Sequence, residues 1–62
     1  MKPLKRRKYP RLYGRWRTLN NITTMLKAER KELMSLHIPG EEIEVVIRDI
    51  EIIMDRIEQR MV

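Results

Sequence analysis

The chain has no cysteine and a single histidine, His37, which excludes a disulfide scaffold and every thiolate metal site. One histidine builds a zinc site only by recruiting carboxylates, so neither metal nor cofactor is expected. Glycine occurs only at Gly14 and Gly40, and neither belongs to a phosphate-cradling loop. Ser35 is the only serine, and its neighbour His37 projects from a different side of a helix, so no nucleophile is activated. The acids Glu41, Glu42, Glu44, Asp49, Glu51, Asp55 and Glu58 are spread as on a solvated helix face. An enzyme is therefore not expected.

Long hydrophobic runs are missing as well. The richest stretch, Ile43 to Met61, is broken by charge every two or three positions, far from the ~18 apolar residues of a membrane span. The basic N-terminus is not followed by an apolar core of ~7 to 15 residues, so no secretory signal is expected and the protein is read as soluble and cytoplasmic. At 62 residues the chain makes one domain that buries only ~60% of its unfolded surface, and such domains ordinarily need a staple or a second subunit.

The charge that is present is polarised. Residues 1–17 hold Lys2, Lys5, Arg6, Arg7, Lys8, Arg11, Arg15 and Arg17 with no acid, a net +8. Residues 18–62 hold six basic residues and all nine acids, a net −3, which together give the overall +5. A basic tail on a mildly acidic body is the pattern expected of a segment that meets a polyanion.

Pro3, Pro10 and Gly14 predict that residues 1–17 form an arm without a long helix, its later half turning to pack Leu12 and Trp16 onto the body. Thr18, Asn20 and Asn21 are candidate N-caps, placing the hairpin domain at 18–62 and a first helix at about 19–37. Within it, Leu19, Ile22, Leu26, Glu29, Leu33 and Leu36 are spaced alternately three and four apart, a single helical stripe widened by Met25. Pro39 suits the start of a second helix at about 40–61, with Glu41 and Glu42 in its first turn. Its seam is Ile43, Val46, Ile50, Ile53 and Ile57, broadened by Ile47, Met54 and Met61.

A short connector between two such helices predicts an all-α fold, a helical hairpin of two antiparallel helices. Two broad stripes are more than two helices can bury against each other, so a homodimer closing into a four-helix bundle is expected. Val45 and Ile52, seven residues apart on the side opposite the second seam, are a candidate partner interface. Glu29 interrupts the first seam, either as a polar group that fixes register or as an edge residue reaching solvent. His37 is read as a cap on the last carbonyls of the first helix.

Among the basic residues lie three aromatics, and the candidate nucleic-acid-binding set is Lys5, Arg6, Arg7, Lys8, Arg11, Arg15 and Arg17 with Tyr9, Tyr13 and Trp16. Lysine and arginine neutralise phosphates, and aromatic faces stack on unpaired bases. Trp16 also has a packing role open to it, as an anchor over the end of the bundle. The expected function is a non-enzymatic accessory or regulatory protein that binds DNA or RNA through its basic arm. The alternative is a protein-interaction module, an inhibitor or adaptor that docks its apolar faces on a larger partner while the arm meets an acidic protein surface.

Over Leu19 to Met61 the plan resembles that of the plasmid repressor-of-primer proteins, whose helical hairpins pair into four-helix bundles and bind paired RNA loops. The resemblance is of architecture and carries no residue across. Hairpin phosphatases of sporulation response regulators carry Ser-Gln-Glu-Leu-Asp in the second helix, where this chain has Ile-Arg-Asp-Ile-Glu from Ile47 to Glu51, so their activity is not implied. In style, the short charge-polarised chain is similar to helical proteins of bacteriophages and mobile elements.

Overall fold

In the computed structural model, which describes residues 7–61, the first helix begins where a proline does least harm. Helix α1 (Pro10–Ser35) has Pro10 in its first turn, where the missing N–H has no intrahelical partner to lose. Tyr9, restricted by the proline that follows it, caps the helix with φ −128° and ψ 65°. The Tyr9 carbonyl accepts the Tyr13 N–H at 2.9 Å. Helix α2 (Glu41–Met61) follows after a short connector, and the two helices pack against each other.

This corrects the expected boundary at residue 17. Residues 10–17 are the first two turns of α1, and Gly14 lies within them. A glycine inside a helix costs only ~1 kcal/mol, and the packing of Leu12 and Trp16 in the same turns offsets it. Thr18, Asn20 and Asn21, expected as caps, lie in mid-helix. The Thr18, Thr23 and Thr24 hydroxyls donate back to the carbonyls four residues earlier, those of Gly14, Leu19 and Asn20.

The C-terminus of α1 is closed by a Schellman arrangement. Ile38 N–H donates to Leu33 O at 2.9 Å and His37 N–H to Met34 O at 3.1 Å. The motif needs a left-handed residue, and His37 occupies it with φ 61°. His37 therefore terminates the helix through its backbone, without a side-chain bond to the last carbonyls.

Pro39 stands ahead of α2 and not in its first turn, which begins at Glu41. The Gly40 carbonyl accepts the Glu44 N–H at 3.0 Å, and Glu41, Glu42 and Glu44 complement the positive end of the helix dipole. Gly40 is buried against α1, where a β-carbon would come within 2.8 Å of Arg30 Cγ.

The rungs between the helices are few and ordered. Trp16 meets Glu58, Thr23 meets Met54, Lys27 meets Glu51 and Arg30 meets Glu44. The stripe that α1 turns inward is Leu12, Trp16, Leu19, Thr23, Leu26, Arg30 and Leu33, again at alternating three and four spacing. That of α2 is Ile43, Ile47, Ile50, Met54, Ile57 and Met61. Only Thr23, Ile47, Met54 and Met61 are buried among the helical residues, the last completely.

The α2 contact is made by residues expected for it, Ile43, Ile50 and Ile57 of the seam with Ile47, Met54 and Met61 beside it, whereas on α1 the contact keeps Leu19, Leu26 and Leu33 of the expected seam and turns its other half outward. Ile22, Glu29 and Leu36 of α1 and Val46 and Ile53 of α2 are exposed. Apolar periodicity favours Ile22 and Leu36, whereas the contact uses small Thr23 and the stem of Arg30 to bring the helices close. The chain exposes 5535 Å², against roughly 4,300 Å² for a folded monomer of its mass.

Two substitutions in the connector should act in opposite directions. His37→Gly relieves the left-handed conformation and should raise the thermal midpoint, a gain of about 1 kcal/mol. Gly40→Ala should lower it by displacing Arg30 from Glu44. Circular dichroism melts at one fixed protein concentration would show both.

Candidate nucleic-acid interface and the open apolar face

The N-terminal end of α1 gathers the basic residues. Arg7 and Lys8 precede the helix, Arg11 lies in its first turn, and Arg15 and Arg17 follow within the next turn. Steps of about 100° per residue put Arg11 and Arg15 on one flank of the helix and Arg17 on the other, so they form a collar. All five are exposed, and among the described residues none of the four arginines makes an ion pair. Lys5 and Arg6 lie outside the described residues.

No acid occupies the first turn of α1. The positive end of its dipole therefore coincides with cationic side chains, an arrangement that raises the local potential and attracts anions. Charge also separates by helix. α1 carries six basic residues against Glu29 and Glu32, a net +4, and α2 carries three against seven acids, a net −4.

The aromatics are placed differently from one another. Trp16 is half-buried against α2, and its Nε1–H donates to Glu58 Oε1 at 2.8 Å. Tyr13 stacks on it, with ring centroids 6.2 Å apart and an interplanar angle of 26°. The Lys8 ammonium lies 5.5 Å from the centre of the Tyr9 ring. Trp16 thus acts as the packing anchor between the helices, and Tyr9 is the aromatic set among the cations.

The two edges of the hairpin are unlike. Along one edge, Glu44, Glu51 and Glu58 of α2, seven residues apart, engage Arg30 at 3.6 Å, Lys27 at 3.8 Å and Trp16 at 2.8 Å. These exposed ion pairs contribute little to stability individually but pair that edge within the hairpin. Along the other edge lie Ile22, Leu36, Val46 and Ile53 at 39%, 64%, 47% and 47% exposure. The charges beside them, Arg15, Glu29, Asp49 and Arg56, make no ion pair among the described residues. Val45 and Ile52 are exposed on the far side of α2, turned away from α1.

Near the connector an open cleft of about 510 Å³ runs between Arg30, Met34, His37 and Glu44. It holds one imidazole and no nucleophile. Among the described residues no three acids or histidines converge as metal ligands, and no helix is long and apolar enough to cross a membrane. The signal for Trp16 as an anchor was its spacing of three and seven from Leu19 and Thr23. The missed interface residues, Thr23 and Arg30, carry no apolar signature at all.

Since Trp16 is the only tryptophan, it reports directly on its bond to Glu58. Glu58→Ala should shift its emission and destabilise the hairpin by ~1.5–3 kcal/mol, as for hydrogen bonds to charged groups. Denaturant titration followed by both fluorescence and circular dichroism would check this.

No protein-family model matches the chain, and neither do any curated protein or solved structure.

Proposed function

We propose that this protein is a non-enzymatic nucleic-acid-binding accessory or regulatory factor, an antiparallel helical hairpin that pairs with a second copy and grips phosphates with its basic N-terminal collar. The observation that carries the reading is the group Arg7, Lys8, Arg11, Arg15 and Arg17, exposed around the positive end of α1. Acids sufficient to pair them exist in the chain, yet they sit on α2 and at the other end of α1. Cations left exposed in this way suit a polyanion, whose counterions they release on binding.

Contacts of this kind are to phosphate and largely indifferent to sequence. Tyr9, beside Lys8, is the ring best placed to stack on an unpaired base. Pairing of two hairpins doubles the collars and raises affinity through effective concentration.

Fluorescence anisotropy with labelled single- and double-stranded DNA and RNA tests the proposal. Affinity should fall steeply with salt, and Arg7→Ala, Lys8→Ala and Arg11→Ala combined should weaken binding equally across sequences. The triple change should also make the slope of log K against log salt shallower by about three. Affinity that does not change with salt would remove the reading.

A second reading rests on Val45 and Ile52, 60% and 48% exposed on the back of α2. In it, the hairpin docks this pair on a larger protein, with the collar in an acidic groove. Val45→Asp with Ile52→Asp should then abolish partner capture and leave nucleic-acid binding intact.

A further inference from the structure

The open edge has a charge order that selects its partner. Along α1, Arg15, Ile22 and Glu29 succeed one another at intervals of seven residues, so they form one line reading positive, apolar, negative. Along α2, Asp49 and Arg56, also seven apart, flank the level of Ile52 and Ile53, and the line reads negative, apolar, positive. A line of this kind is complementary to a copy of itself only when the copy runs the opposite way.

From this we infer that the open face is an interface between two copies of this chain, related by a two-fold axis perpendicular to the helices. The axis passes beside Ile22 and between the levels of Ile52 and Ile53, so that Arg15 faces Glu29 of the second copy and Asp49 faces Arg56 of the second copy. The inference rests on the proposed pairing of two hairpins and specifies its geometry.

Three observations support it independently. The two centres fall within about one helical turn of the same level, as the rungs Trp16–Glu58 and Thr23–Met54 require of one straight axis. The four charges are exposed and unpaired among the described residues, while the opposite edge is paired within the hairpin. Ile22, Val46 and Ile53 together leave an apolar surface that a single hairpin does not cover.

The other way of stacking two hairpins face to face uses an axis parallel to the helices. It sets α1 of one copy beside α2 of the other at the level of the internal rungs. Arg15 would then lie near Arg56 and Arg60, and Glu29 near Asp49, so like charges would meet. The charge order disfavours that bundle.

The perpendicular axis also sorts the helices. The two α1 helices become neighbours on one side of the bundle and the two α2 helices on the other. Their net charges of +4 and −4 are thereby doubled on opposite faces. The two collars lie toward opposite ends, about 30 Å apart, since the collar centre near residue 12 is ten residues from Ile22 at ~1.5 Å per residue. A nucleic acid would meet a collar of Arg7, Lys8, Arg11 and Arg17 toward each end of the α1 side, Arg15 being engaged with Glu29 of the second copy.

Sedimentation velocity of the full chain over a dilution series, without nucleic acid, tests the geometry. The wild type should dimerise, and Glu29→Arg and Arg15→Glu should each weaken self-association by about tenfold or more, because like charges then meet. Mixing the two variants in equal amounts should restore a dimer, as should the double variant R15E/E29R. Circular dichroism of each variant should retain its helix content, since both positions are exposed.

A wild type that stays monomeric at millimolar concentration would overturn the inference. So would variants that dimerise like the wild type, mixtures that do not recover, or E29R dimerising more tightly, which is the result of the parallel axis. Loss of nucleic-acid binding in the collar variants with sedimentation unchanged is a separate result, and failure of either reading shows only in its own experiment.

Discussion

The contact between α1 and α2 is the one tertiary interface among the described residues, and its rotational phase governs everything else. Each helix has more apolar surface than a single neighbour covers, so the choice of inward stripe decides what remains outside. Here the inward stripe holds Thr23, whose small side chain reaches Met54 with its hydroxyl 3.9 Å from the sulfur, and in the connector Gly40 admits the stem of Arg30. Close approach at these points wins over burial of the larger Ile22, Val46 and Ile53. At roughly 25 cal/mol per Å² of apolar surface, leaving such residues half-exposed has a real cost.

That phase also divides the charges. The edge with Glu44, Glu51 and Glu58 faces cations and an indole donor of α1 and is paired within the hairpin, although Arg30 Nε stays buried without a partner. The remaining acids of α2 and the arginines at the start of α1 point elsewhere and make no ion pair among the described residues. A short hairpin therefore offers two distinct surfaces: a cationic collar at the N-terminal end of α1, and an apolar edge flanked by unpaired charges of both signs.

Much of this was legible in the residues alone. Alternating three and four spacing gives two helices despite the β-branched residues of α2, because amphipathic period outweighs weak intrinsic propensity. The connector around Pro39 and Gly40 and the segregation of charge needed no coordinates. Pro10 and Gly14 suggest a broken arm, yet α1 starts at Pro10 and runs through Gly14. Proline in a first turn breaks nothing, and the cost of one glycine is smaller than the packing gained by Leu12 and Trp16. The helical spacing of Trp16 from Leu19 suggests a packing role, but its partner Glu58, 42 residues away, has no local signature.

The sequence by itself determined the helical period, the position of the connector and the polarity of charge, since each of these depends on neighbours within a few residues. Only the tertiary structure decided which stripe of each helix turns inward. Adjacent stripes on one helix differ by less than a quarter turn and share several residues, so hydrophobicity alone scarcely distinguishes them. Steric fit between two backbones does, through Thr23 and Gly40, and it leaves Ile22, Leu36, Val46 and Ile53 outside.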